Sequence, residues 1–217
     1  MTELRATKMK LSDILTPLRK EIDDDDAVRE KTLPLGRKAV RKCSESIRMT
    51  HRGKFGDAKK LISEAHKIIL EASTDASDSE FMIRSRTLDV AYQELTEALN
   101  LLSLLEHGTF TTPDEYGIPA RAYLTGLADT IGELRRASLD LLRYDEVARA
   151  EILLGFMEEI LEELQTFDYP NALVPDLRRK CDVGRGLIER TRGDLTRAVG
   201  QSKLMKKLDK VGEHLKD

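Results

Sequence analysis

Residues 123–136 run Tyr123-Leu124-Thr125-Gly126-Leu127-Ala128-Asp129-Thr130-Ile131-Gly132-Glu133-Leu134-Arg135-Arg136. Leu124, Leu127, Ile131 and Leu134 recur at helical spacing and form one apolar stripe. Asp129 and Glu133 lie one turn apart and share another face, among Ala122, Thr125, Gly126, Gly132 and Ala137. A glycine inside a helix costs ~1 kcal/mol relative to alanine. Two of them on one small-residue face are better explained if another backbone or a ligand comes close.

The same period holds outward along the chain. No run alternates apolar and polar residues with β-branched enrichment, so no strand is expected. Helices are predicted over Leu11–Ile22, Asp26–Arg52, Phe55–Ala72, Ser79–His107, Pro119–Tyr144, Asp145–Phe167 and Pro175–Val199, with Gln201–Lys216 as a short last helix or a frayed tail. Pro34 predicts a kink or break, and Asp23–Asp26 reads as a cap feeding the long helix behind it. Gly53 and Gly108 stand where helices end, and Thr109–Ile118 is the clearest loop. The fold class is all-α, a bundle of six to seven helices in one domain over residues 1–217, with 1–26 as an N-terminal extension and 201–217 as a tail.

Composition agrees. Of 217 residues 35% are charged and 5% aromatic, with no Trp. The net charge of −3 gives no global attraction to nucleic acid or membrane. Cys43 and Cys181 stand far apart and suit neither a disulfide scaffold nor a zinc site. They read as small apolar side chains in a reducing compartment. The opening residues lack the apolar core of a signal peptide, and no apolar run approaches the ~20 residues of a membrane span. A soluble, cytoplasmic protein without a membrane partner is expected.

Charge is nonetheless uneven. Residues 29–67 hold twelve Lys/Arg against four acids, and residues 71–118 hold two against ten. In the acidic part, Glu94 shares a helical row with Ala91, Ala98, Leu101 and Leu105, and Glu97 shares one with Val90, Leu101 and Leu104. Both carboxylates interrupt apolar rows. Burying an ionised carboxylate alone costs several kcal/mol, and no Lys or Arg lies within a turn of either. A short loop makes this helix and the next antiparallel neighbours. Glu94, Glu97, Asp129 and Glu133 could then converge on one seam. Four oxygen donors without nearby His or Cys suit Mg²⁺ or Mn²⁺. No histidine gives the Glu-x-x-His spacing of a di-iron site. The plainer alternative is an exposed acidic face. Glu158, Glu159, Glu162 and Glu163 are read that way.

In the basic part, Arg37, Arg41, Ser44, Arg48, His51 and Arg52 line one helical face with little acidic company. Such a row is the footprint of phosphate binding. With no helix-turn-helix, zinc finger or RNP motif, single-stranded nucleic acid is the expected ligand. The basic segment Arg178–Arg197 is mixed with acids and reads as a salt-bridged helix.

Residues 123–136 resemble the signature helix of the translin family, above all its translin-associated factor X branch. Gln93-Glu-Leu-Thr-Glu-Ala98 is similar to that branch's Gln-Glu-x-x-Glu-Ala helix. Leu35-Gly-Arg37 with His51-Arg52 looks like its basic first helix, and Leu177–Arg190 looks like the last long helix of prokaryotic members. The matches run from about residue 33 to 198. The resemblance implies subunits that assemble into a hollow barrel, here a homo-octamer. It also implies metal-dependent cleavage of single-stranded RNA through Glu94, Glu97, Asp129 and Glu133, all acidic here, so the chain looks like the catalytic type. Arg37, Arg41, Arg48, His51 and Arg52 would hold the RNA, with single-stranded DNA a further ligand. Two other readings are a non-catalytic translin-like binder and an all-α nucleoside triphosphate pyrophosphohydrolase. The second leaves the basic row unexplained.

Overall fold

A computed structural model describes residues 10–77, 79, 81 and 86–214. The expectations for residues 1–9 and 215–217, and for part of 78–85, lie outside the described residues. Among the described residues there are helices and no strand: α1 Leu11–His51, α2 Phe55–Ala76, α3 Asp89–Glu106, a 3₁₀ turn Asp114–Tyr116, α4 Ala120–Arg143, α5 Val147–Gln165 and α6 Leu177–His214. The fold class is all-α, as expected.

Each helix buries the apolar row that its sequence provides. α1 packs on α2 and α3, α3 on α4, and α4 on both α5 and α6. Ile69, Leu95, Leu101, Ile131, Leu134 and Met157 are fully buried at the centre. Leu124 and Leu127 are only partly buried, because the small-residue face of α4 goes deeper. Ala122, Thr125, Gly126 and Ala137 are buried on it. Both cysteines are buried and free, as their spacing suggested.

Several boundaries differ from expectation. α1 continues through Pro17 and Pro34 without a break. A proline removes one N–H bond to the carbonyl four residues back. Pro34 and Glu30 are both exposed, so water can take over the freed carbonyl. Asp23–Asp26 are therefore helix interior rather than a cap, and Asp25 accepts a 2.6 Å hydrogen bond from the Ser79 hydroxyl. α2 runs on to Ala76. α3 starts at Asp89 rather than Ser79, because Arg86 adopts a left-handed φ of 57° that no helix continues through. α6 passes Gly200 and absorbs the expected tail as far as His214. No described helix is long and apolar enough to cross a membrane.

Candidate active site

The seam between α3 and α4 is unusually tight, and Gly126 is the reason. A Cβ there would stand 2.6 Å from the Gln93 carbonyl oxygen and 2.6 Å from the Thr96 Cβ. Gly132 has no such neighbour: its nearest contact would be the Leu187 Cδ1 at 4.0 Å. One of the two glycines thus marks the close backbone approach that the sequence suggested. It sets Asp129 of α4 against Gln93 of α3, whose amide donates to Asp129 Oδ2 at 2.7 Å.

The carboxylates of Glu94, Glu97, Asp129 and Glu133 lie near enough to act on one another's charge. Burial, followed by the charges of Glu94, Asp129 and Glu133, pushes the Glu97 carboxyl up to about 8. Glu94 is raised by burial and then by Asp129. Neither glutamate has a hydrogen bond or ion pair among the described residues. Beneath them lies the fully buried Cys43, whose thiol is pushed up to about 12 by burial and then by these two carboxylates. It is a neutral apolar floor.

The other two acids are compensated. Lys180, in the first turn of α6, grips both oxygens of Asp129, its Nζ at 2.5 Å from Oδ1 and 2.6 Å from Oδ2. His51, at the end of α1, sets its Nε2 2.5 Å from Glu133 Oε2. This contact holds the Glu133 carboxyl below the usual glutamate range, with a smaller contribution from Arg136, 3.5 Å away. Four helices therefore contribute to one site.

The expected arginine row is real as a surface. Arg37, Arg41, Arg48 and Arg52 are exposed and form no ion pair among the described residues. His51 is different. Its side chain is 6% exposed and turned onto Glu133, so it belongs to the acidic seam. The α6 segment forms ion pairs as expected: Arg178 with Asp168, Arg185 with Asp182, Arg192 with Glu158, and Arg135 with Asp194. Glu159, Glu162 and Glu163 face solvent.

Sequence reasoning missed Lys180 and Gln93. Lys180 stands in the run Arg178-Arg179-Lys180, part of a segment whose sequence reads as a salt-bridged helix. The available signal was its register: it stands three residues after buried Leu177 and next to buried Cys181, on the shoulder of the inward face.

The donor set fits a hard cation in kind, since all four groups are carboxylates and two of them are unpaired and partly buried. As the side chains stand, no three His, Cys, Asp or Glu among the described residues form a closed ligand set. Lys180 holds Asp129, and His51 holds Glu133.

No protein-family model matches the chain. The uncharacterized protein MJ0175 of Methanocaldococcus jannaschii is 35% identical over 201 residues, 92% of this chain and 89% of that one. The crystal structure of AfC3PO, from Archaeoglobus, is similar with a TM-score of 0.79 and 33% identity, over 86% of this chain and 97% of that one. The AfC3PO–duplex RNA complex gives the same TM-score at 32% identity over the same shares. Apo-NeC3PO, from Nematostella, shares the fold with a TM-score of 0.76 at 19% identity, over 88% of this chain and 99% of that one. A chain that matches a third of AfC3PO's residues across nearly its whole length, on one helical scaffold, belongs to the C3PO or translin family.

Proposed function

We propose that this protein is a metal-dependent endoribonuclease that cleaves single-stranded RNA by phosphodiester hydrolysis. The observation that carries the reading is the cluster of Glu94, Glu97, Asp129 and Glu133 on two tightly apposed helices, with two of its carboxyls forced up in proton affinity. Such repulsion adds nothing to stability, since apolar residues would fill the seam at lower cost, and perturbed carboxyls gathered at one seam mark a functional site. The family membership supports an RNA substrate, since AfC3PO has been captured with duplex RNA.

Glu94, Glu97, Asp129 and Glu133 would hold Mg²⁺, or Mn²⁺ in its place. Bound there, such an ion supplies Lewis acidity to a phosphoryl oxygen and lowers the pKa of water. The protein's own groups do the rest. Once ionised, as a bound cation would make it, Glu97 would offer a carboxylate basic enough to accept a proton from the attacking water. His51 fixes the orientation of Glu133. Arg37, Arg41, Arg48 and Arg52 bind the phosphates on either side of the cut and draw RNA towards an otherwise repellent acidic surface.

The protein acts as a homo-oligomer, an octamer on the family resemblance. Leu11, Leu15, Leu18 and Ile22 form an exposed apolar row on α1, from 45% to 68% exposed, that further copies would cover.

Incubation of an unstructured RNA oligonucleotide with the protein in Mg²⁺ and in EDTA tests the reading. Cleavage is expected with Mg²⁺ alone. RNA binding without cutting under any divalent ion would leave a translin-like binder, and release of pyrophosphate from nucleoside triphosphates would favour a pyrophosphohydrolase.

A further inference from the structure

We propose that the Lys180 ammonium is a resident counter-ion of the carboxylate cluster, held on Asp129 until a divalent cation displaces it. Ion binding is then an exchange of cations. The inference rests on the reading of the cluster as a metal seat and adds to it a device that nothing in the acidic residues themselves implies.

Geometry comes first. Lys180 Nζ bridges both oxygens of Asp129, and the Gln93 amide takes a further position on Oδ2. A carboxylate offers about four lone-pair sites. So occupied, Asp129 has little left for an incoming ion unless the ammonium withdraws.

Placement comes second. Arg178 and Arg179 of the same helical turn are exposed and pair with Asp168 and Asp176 at the surface. Lys180 alone of the three turns inward, with its side chain 15% exposed. Asp129 is not a surface ion pair caught by chance.

Chemistry comes third. Lysine is a compact point charge on a flexible stem, whereas arginine is a planar fork that clamps a carboxylate. A temporary occupant needs the first property. His51 and Arg136 already face Glu133, so Lys180 is the one cation among the described residues in contact with Asp129. Without it, Asp129, Glu94 and Glu97 would repel one another more strongly across the seam. Lys180 is thus a positioning residue. It neutralises Asp129 before the ion arrives and competes with the ion once it does.

Calorimetric titration of the full-length protein with MnCl₂ tests this, comparing wild type, Lys180→Met and Lys180→Gln, with Arg179→Met as a control of equal charge change. Both Lys180 variants are expected to bind Mn²⁺ about tenfold or more tightly than wild type, while melting at lower temperature in EDTA. A residue needed only for structure would not raise affinity. Unchanged or weaker binding in the Lys180 variants overturns the exchange, as does an equal gain in Arg179→Met. Should Lys180→Met fail to fold, Lys180→Gln, which keeps N–H donors near Asp129 without the charge, decides the matter by the same affinity comparison. If wild type and all variants ignore millimolar Mn²⁺, the metal reading itself falls. A wild type that binds Mn²⁺ indifferently to residue 180 sinks the exchange alone.

Discussion

Gly126 lies against the backbone of Gln93 so closely that a single methyl carbon would stand 2.6 Å from its carbonyl oxygen. This approach sets the spacing of the two acidic helices. Backbone cannot yield as a side-chain tip can, so Gly126→Ala must push α3 and α4 apart. The expected cost is about 1–3 kcal/mol, against a gain in helix propensity of ~1. Thermal melting should show a lower midpoint, and Gly132→Ala, which meets nothing nearer than 4.0 Å, should not lower it.

Stability and function should pull in opposite directions at Glu97. Its carboxyl is strained by burial and by like charges. Glu97→Gln removes that repulsion and should raise the melting midpoint in EDTA by about 2–4 °C for each kcal/mol relieved. The same change should abolish RNA cleavage. Glu94→Ala and Asp129→Ala should cut RNA at least about a hundredfold more slowly, since changes merely behind a metal ligand typically cost ~10–100-fold. Mutant proteins that cut as fast as wild type would refute their role.

The pH dependence follows from the same groups. Between the ordinary glutamate value of 4.5 and about 8, Glu97 holds its proton in the folded chain and has lost it in the unfolded one. The folded state then binds more protons, so this contribution to stability falls as pH rises through that window. Glu133 has the opposite sign. His51 lowers its pKa, so its contribution is present above 4.5 and lost as pH falls through the lowered value. Binding of Mn²⁺ near pH 7 should expel protons. Calorimetry in buffers of different ionisation heat counts them, and affinity should weaken as pH drops from 8.

The exposed arginines should act through charge alone. Arg41→Ala and Arg48→Ala are each expected to weaken RNA binding for all sequences alike and to lower the salt slope by about one. Fluorescence anisotropy across a salt series reads both. A change in sequence preference without a change in slope would contradict a phosphate role.

Much of this was legible in the chain. Helical periodicity and small residues around Asp129 pointed to a tight antiparallel seam, because such patterns are local. The continuity of α1 was not legible, since a proline's penalty depends on whether water reaches the carbonyl left behind, as it does near Pro34. Nor were the partners of the acids. His51 looks like one more member of a basic face until the end of α1 is seen to meet α4. Lys180 reaches Asp129 from 51 positions away in sequence, a contact only tertiary packing creates.

Assembly is the next expectation. The apolar row at Leu11, Leu15, Leu18 and Ile22 stays exposed among the described residues. Leu15→Glu with Leu18→Glu should leave the bundle folded, because neither side chain is part of its core, and should lower the mass measured by light scattering. An unchanged mass would place the contacts between copies elsewhere.

Anomalous diffraction from crystals soaked in Mn²⁺ reads the metal seat itself. The expected result is one strong peak between α3 and α4, about 2.0–2.2 Å from oxygens of Glu94, Glu97, Asp129 or Glu133, with the Lys180 ammonium moved off Asp129. No peak there, with the four acids still parted among Lys180, His51 and solvent, would contradict a hydrolytic centre at this seam.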